Sequence, residues 1–360
     1  MDNLSAVPQL SPMPATSAHP IADLYVRHLL GVGDDVDPSE VETLALSRFP
    51  AARWEIAPTE EPTPEGVRLV PGVLRLSRHT VVSGPYAPTV DDGSALGFDH
   101  TVAMVFDVLC PRERGPAPFR GGGDRDGLAR IFAAGSPVRE EWRVALWLVA
   151  VGRRLGGSVR FEVGDGEPSI VTPDPAVAVD VTVYSDVWLD PEAALAVCRT
   201  ADRRSELATT GVPWEGPPST TGTVPALEDS PLTPEQLRAL HERADAFDIA
   251  ALTSPPPLTG YGVHVDLGKD GIVSVEVGGV EQVPLTLKDV EWAKDGAVTY
   301  VVRWTPENLE DWQRERPSFD LKISRTRASG VVARLARALF EAVGGEVADQ
   351  DDFLVDPEDV

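Results

Sequence analysis

The side chains that could perform chemistry are scattered along this chain, and none stands at the spacing that a metal site requires. The chain has six histidines and two cysteines. No two histidines have the spacing of a helical zinc site, and two cysteines are too few for a cysteine-based zinc cluster. The aspartate runs that begin at Asp34 and Asp349 lack the central glycine and the final glutamate of a calcium loop. We therefore predict no metal site.

Cofactor and nucleophile motifs are also absent from the sequence. The glycine-rich residues 120–127 lack the Gly-Lys-Ser/Thr ending of a P-loop, and their two aspartates would repel a phosphate. No serine stands at the centre of a Gly-x-Ser-x-Gly elbow. We therefore predict no cofactor and no catalytic residues, and we expect a protein that is not an enzyme. The alternative is an active site assembled from residues distant in sequence, with Asp99, His100 and His264 as candidates.

The C-terminal end is the candidate binding segment. Residues 346–360 hold seven acids and no base, around the apolar residues 353–355. We expect the apolar residues to form a short strand that leaves only Asp356, Glu358 and Asp359 projecting into solvent. These three residues are the predicted protein-binding site, and simple solvation of the chain end is the alternative.

The net charge decides which partners the chain could attract. There are 57 acidic and 32 basic residues, which gives a net charge of −25. Nucleic acids are bound through clustered Lys and Arg, so we expect no direct binding to nucleic acid, and anionic membranes should repel the protein. A basic protein would be attracted by this field. A surface that mimics the phosphates of DNA is a further alternative.

Composition indicates a globular protein of the cytoplasm. Hydrophobic residues make up 42% of the chain, with eight Trp and ten Phe, which is ample for folded cores. The longest apolar run, residues 144–151, is too short for a membrane span. Residues 1–20 contain no Lys or Arg and four prolines, so they do not resemble a secretory signal. Arginine outnumbers lysine 28 to 4, which indicates a GC-rich bacterial genome.

Changes in composition divide the chain into four predicted parts. Residues 1–21 are predicted to be a disordered tail, and residues 22–206 an N-terminal α+β domain. A Pro/Gly-rich linker covers residues 207–259 and contains a helix at 234–250. Residues 260–360 form a C-terminal α+β domain with the acidic end. The mixture of strands and helices favours mainly antiparallel sheets with helices packed on one face.

Five helix starts are marked by a capping side chain directly before proline. They are Asp37-Pro38, Ser136-Pro137, Asp190-Pro191, Thr233-Pro234 and Thr305-Pro306. At two of them a side chain three residues later completes a capping box, Glu40 after Asp37 and Gln236 after Thr233.

Two segments resemble each other at a separation of 188 residues. Each is predicted to form a helix, a Gly-Gly stop, a strand, an acidic turn and a second short strand. The second strands and turns correspond to residues 170–174 and 354–358. The similarity favours a tandem duplication of an α+β unit, with chance similarity of helices as the alternative. The matching pairs are Val144/Val332, Ala145/Ala333, Ala150/Ala338, Gly156/Gly344, Gly157/Gly345 and Val159/Val347.

A duplicated fold, a Pro-rich linker and an acidic surface are typical of an adaptor, inhibitor or immunity-type protein. We therefore predict a non-enzymatic protein–protein interaction protein whose partner is another protein of basic character. The two alternatives are the enzyme with a dispersed active site and the DNA mimic.

Overall fold

The fold was analysed in a computed structural model. It describes residues 9–15, 24–64, 66–119, 121–163, 169–208, 233, 235–236, 238–240, 242–243 and 259–359. These residues form an α+β fold with three mainly antiparallel sheets, as predicted. Every helix in the described ranges is too short or too polar to cross a bilayer.

The first part of the chain forms a large sheet, a small sheet and three helices. In chain order these elements are β1 (Gln9–Leu10), β2 (Pro12–Met13), β3 (Tyr25–Val32), α1 (Pro38–Leu46), β4 (Arg53–Ile56), β5 (Thr59–Thr63), β6 (Gly66–Val70), β7 (Gly72–Arg75), β8 (Val81–Val90), β9 (Met104–Pro111), α2 (Leu128–Ile131), α3 (Arg139–Arg154), β10 (Ser158–Phe161) and β11 (Ser169–Val171).

Outside the segment 233–243, whose described residues are partly helical, the described residues of the second part form one sheet and three helices. Its elements are β12 (Val181–Ser185), α4 (Pro191–Ala201), β13 (Glu206–Leu207), β14 (Gly260–Asp266), β15 (Ile272–Val280), β16 (Ala297–Thr305), α5 (Leu309–Trp312), α6 (Phe319–Val343), β17 (Glu346–Asp349) and β18 (Leu354–Val355). We call residues 9–177 the first unit and residues 178–359 the second unit.

The two large sheets have the same strand order. The first runs β11-β10-β3-β9-β8-β7-β4, with β2 paired to β8, and the second runs β18-β17-β12-β16-β15-β14-β13. When the seven strands of each order are numbered along the chain, both sheets read seventh, sixth, first, fifth, fourth, third and second. β5 and β6 of the first unit form a separate small sheet with β1. The topology is therefore repeated, and tandem duplication remains our interpretation of that repeat.

The pairing register is repeated as well. Residues that lie opposite each other on neighbouring strands form a row across each sheet. A row in the first sheet has a matching row in the second, and this match aligns the two units residue by residue. The first set is Val171, Val159, Leu30 and Phe106, and the second is Val355, Val347, Val183 and Tyr300. A second row lies two residues along the strands, and its members are again successive partners. It contains Trp54, Leu74, Val82, Val108 and His28 in the first unit, and Leu207, Val263, Val275, Val302 and Val181 in the second.

The two Gly-Gly stops have the same structural cause. Gly156 and Gly344 end their helices with φ of 62° and 66°, a conformation that favours glycine. The next glycine in each pair approaches the backbone of a neighbouring strand. A Cβ at Gly157 would collide with the carbonyl oxygen of Gly31, and one at Gly345 with that of Tyr184. The glycines let β10 and β17 enter their sheets directly after the helix.

Each sheet carries its helices on one face, as predicted. In the first unit α3 packs on β3, β9 and β10, over a core that includes Trp147, Phe106 and Phe161. In the second unit α6 packs on β12, β15 and β16, over a core that includes Tyr300 and Trp304. Smaller apolar clusters cover the opposite face of each sheet, such as Met13 with Leu29 and Leu287 with Ala348.

The sheets divide the chain differently from the predicted boundaries. Residues 181–207 belong to the second sheet, since β12 pairs with β16 and β17, and β13 pairs with β14. The predicted linker therefore lies between two neighbouring strands of the second unit. Most of that segment, including 244–250 of the predicted helix, lies outside the described residues. At the N-terminus, β1 and β2 are ordered strands within the predicted tail.

Of the five predicted helix starts, two are confirmed in full. Asp37 caps α1 with a capping box that includes Glu40, and Asp190 caps α4. Ser136-Pro137 and Thr305-Pro306 are wrong as helix starts, because α3 begins at Arg139 and α5 is capped by Asn308. The Thr233–Gln236 capping box is present, although Pro234 lies outside the described residues.

The turn between β17 and β18 joins the two units. Phe353 in this turn is 1% exposed and belongs to the core of the first unit. Its ring centre lies 5.5 Å from the guanidinium carbon of Arg48, which also donates to the carbonyl oxygen of Asp351. Arg153 at the end of α3 pairs with Asp351 and, at 2.6 Å, with Asp126. The second unit thus completes the core of the first.

Candidate functional site

An open groove of about 610 Å³ lies in the first unit, where β3 ends and α1 begins. The N-terminal segment and the β5–β6 hairpin form its other walls. Its floor is apolar and its rim carries four carboxylates. The floor is formed by Leu10, Val36, Trp54, Leu69 and Met104, and the rim by Asp34, Asp37, Glu42 and Glu60.

Among the described residues, no basic side chain neutralises the carboxylates on the rim. None of the described residues that line the groove is basic. Within the described part of the chain, no basic side chain forms an ion pair with Asp34, Glu42 or Glu60. Asp37 is occupied by capping, and its hydrogen bond from Ser39 lowers its pKa. The groove is therefore strongly anionic at neutral pH.

The shape of the groove follows from local structure. Four residues separate the end of β3 from the cap of α1, and this loop carries Asp34. Glu42 lies on α1, one residue after the buried Val41. Trp54 opposes Leu74 in β7, just before an irregularity in the pairing of β4. These elements bring together carboxylates and an indole that are distant in sequence.

The corresponding region of the second unit keeps the capping aspartate but not the other carboxylates of the β3–α1 segment. The β3–α1 segment aligns without a gap on β12–α4, at a separation of 153 residues, with Asp37-Pro38 on Asp190-Pro191. Three residues of the groove then correspond to apolar residues, Asp34 to Val187, Glu42 to Leu195 and Trp54 to Leu207. The loop in the second unit is tied down by the Tyr300 hydroxyl, which donates to Val187 at 2.8 Å.

A second cavity, of about 430 Å³, lies between the two units. Its two arginines contact aspartates of the second unit, since Arg153 pairs with Asp351, and Arg154 lies 3.8 Å from Asp349. Burial raises the pKa of Asp180 and of Asp349, which both line it. This cavity therefore holds opposed charges, whereas the groove of the first unit holds charges of one sign.

A buried polar network lies under α3 in the first unit. His28, fully buried, accepts a hydrogen bond at Nδ1 from the backbone N–H of Glu162 at 3.2 Å. Its Nε2 lies 3.4 Å from Oε1 of Glu141, which also lies 2.6 Å from the guanidinium of Arg114. The backbone N–H of residue 113 donates to Glu141 at 2.7 Å. These contacts hold the β9–α2 connection against α3.

The three predicted binding residues lie together at the C-terminal end. Asp356, Glu358 and Asp359 are exposed, next to β18, and Asp356 accepts a hydrogen bond from the backbone of Glu358 at 2.9 Å. The expected short strand is present as β18. The expectation that only these three acids project is wrong, because Asp352 is also exposed. None of the three lines the groove of the first unit.

The structure does not bring the candidates for a dispersed active site together in a cavity. Asp99 and His100 pair with each other at 2.6 Å on the surface of the first unit, and His264 lies in β14 of the second. None of the three lines any of the four cavities we describe, including two smaller ones near Trp312. Among the described residues, no three His, Cys, Asp or Glu side chains are grouped to hold a metal ion.

The groove was not predicted from the sequence. Its clearest signal was the density of acids between residues 34 and 61, where only Arg48 and Arg53 are basic. Among the first aspartates of this stretch, the sequence assigned a role only to Asp37, as a helix cap, and this prediction is confirmed. Comparison with known proteins found no family model, no curated protein and no solved structure that matches this chain.

Proposed function

We propose that this protein is a non-enzymatic interaction protein that binds a basic segment of a partner protein in the groove of the first unit. The observation that carries the proposal is the set of unpaired carboxylates above an apolar floor. An apolar floor supplies affinity by excluding water, and the acidic rim selects a basic partner and accelerates its approach.

The total charge supports the same conclusion. With a net charge of −25, the protein attracts basic proteins from a distance, and the groove concentrates part of that charge around a cavity. Because exposed charges are screened by salt, binding should weaken as the ionic strength rises. The exposed acids Asp356, Glu358 and Asp359 remain a second predicted docking surface at the other end of the chain.

Capture from a GC-rich bacterial lysate, with matched charge variants, tests the proposal. The tagged full-length protein is washed at low and then high salt, and retained proteins are identified by mass spectrometry. The groove variant carries Asp34→Asn, Glu42→Gln and Glu60→Gln. The control variant carries Asp356→Asn, Glu358→Gln and Asp359→Asn, so both lose three negative charges.

We expect a stoichiometric basic protein that is released by salt, kept by the control variant and lost by the groove variant. Loss with the control variant alone would assign binding to the C-terminal acids instead. Equal loss with both variants would show a non-specific effect of net charge and overturn the assignment. A partner displaced by duplex DNA would favour the DNA mimic, and an empty bait would overturn the proposal.

A further inference from the structure

Trp54 is the feature of the groove that the fold itself does not require. It is half-buried, packs against the core of the first unit and lines the groove beside the carboxylates. The same position in the second sheet is Leu207, which pairs with Val263 as Trp54 pairs with Leu74. An aliphatic residue is therefore sufficient for the strand, and the indole needs another explanation.

The other walls of the groove restrict what can lie on this indole. An anion would be repelled by Asp34, Glu42 and Glu60. A purely apolar side chain would cover the carboxylates without giving them a partner, which is costly. A cation on an aliphatic stem satisfies both parts of the site, because its stem lies on apolar residues while its head faces the carboxylates. The face of an indole also attracts a cation.

Arginine fits this combination better than lysine. Its planar guanidinium stacks on an aromatic face and offers a fork of donors to a carboxylate, whereas an ammonium is a compact and strongly hydrated charge. Among the described residues, no group accepts a hydrogen bond from the indole N–H of Trp54, and no basic side chain of the protein occupies the groove.

We propose that Trp54 anchors an arginine side chain of the partner protein, with the guanidinium held between the indole and the carboxylates of Glu42, Glu60 and Asp34. This inference rests on the proposed function and specifies its recognition chemistry. Trp54 is then the residue that distinguishes an arginine-bearing segment from other basic surfaces.

The test uses the full-length protein labelled with 5-fluorotryptophan and observed by ¹⁹F NMR. The resonance of Trp54 is the one missing from Trp54→Phe, and the exposed Trp188 of the second unit, assigned with Trp188→Phe, is the internal control. The probes are a capped tetrapeptide with one arginine and the same peptide with citrulline, which keeps the size of arginine but carries no charge.

We expect the arginine peptide to shift the Trp54 resonance and leave that of Trp188 unchanged. The citrulline peptide should need at least a tenfold higher concentration for the same shift. In the variant with Glu42→Gln and Glu60→Gln, the arginine peptide should bind at least tenfold more weakly. An unmoved Trp54 resonance, or equal shifts with both peptides, would overturn the inference.

Two further outcomes separate this inference from the proposed function. If a captured partner binds Trp54→Leu as well as the wild-type protein but fails to bind the groove charge variant, the function holds and the anchor is wrong. If spermidine shifts the Trp54 resonance at a lower concentration than the peptide, the groove is a site for small polycations. That result would overturn both the arginine anchor and the protein partner.

Discussion

The two units of this protein have the same strand order and register, but they differ in the region that follows β3 in the first unit and β12 in the second. In the first unit this region is an open groove with Asp34, Glu42 and Trp54. In the second unit the equivalent residues are Val187, Leu195 and Leu207. Because both sequences support the same topology, the charges and the indole of the groove are not demanded by the fold.

The cores differ in a similar way. His28 and Glu141 of the first unit correspond to Val181 and Ser329 of the second, through the sheet register and the similarity of the long helices. The first unit therefore contains a buried ionisable network at a position where the second unit has the aliphatic side chain of Val181. Burying such groups is costly unless each has a partner, so their loss should have unequal effects in the two units.

The largest expected effect is the loss of the buried carboxylate of the first unit. Glu141→Ala should lower the free energy of unfolding by about 3–5 kcal/mol, because the half-buried guanidinium of Arg114 and the backbone N–H of residue 113 both lose the carboxylate that they contact. Ser329→Ala, at the equivalent position in the second unit, should change it by less than ~1 kcal/mol. Urea denaturation followed by circular dichroism measures both. Equal costs would contradict the proposed alignment of the two helices.

Phe353→Ala should have the next largest effect, about 3 kcal/mol, because its ring fills the core of the first unit. The matched control is Phe319→Ala, which removes a ring that is 75% exposed at the start of α6 and should cost less than ~0.5 kcal/mol. Denaturation of both variants is the measurement. A small cost for Phe353→Ala would mean that the first unit does not depend on the turn from the second.

Replacing the groove with the residues of the second unit tests the comparison directly. We expect Asp34→Val, Glu42→Leu and Trp54→Leu together to change the free energy of unfolding by less than ~1 kcal/mol, since none of the three side chains is fully buried. The same variant should bind the basic partner at least tenfold more weakly, about 1.4 kcal/mol. Denaturation and titration calorimetry would decide. Retained affinity would show that the groove is not the binding site.

The smallest effect concerns the aspartate that caps the first helix of each unit. Asp37→Ala and Asp190→Ala should each cost about 1 kcal/mol at neutral pH. The hydrogen bond from Ser39 lowers the pKa of folded Asp37 below its value in the unfolded chain. The contribution of Asp37 is therefore complete above the unfolded pKa and is lost as the pH falls below about 4. Denaturation between neutral pH and pH ~3 checks this, since an unchanged cost of Asp37→Ala would contradict it.

Much of the local structure was predictable because it depends on neighbouring residues. The caps at Asp37 and Asp190, the glycine stops after α3 and α6, and the short strand β18 all follow from residue type and spacing over a few positions. The similarity of two segments also predicted a tandem duplication. The two large sheets share a strand order, and the duplication itself stays a prediction.

Prediction from sequence was weaker wherever a partner lies far along the chain. The proline-rich stretch read as a domain linker lies between β13 and β14, because β12 and β13 pair with strands that come after it. Composition alone does not reveal such pairing. Local sequence patterns also did not reveal that Asp351, in the acidic C-terminal end, pairs with Arg153 of the first unit.

The sequence by itself determined the α+β class, the anionic charge and the helix caps at Asp37 and Asp190, since each depends on composition or on contacts within a few residues. Only the tertiary structure decided where one unit ends and how Phe353 completes the other core. It alone placed Asp34, Glu42, Trp54 and Glu60 around one cavity. The physical reason is that long-range strand pairing and packing, which no local pattern encodes, bring these residues together.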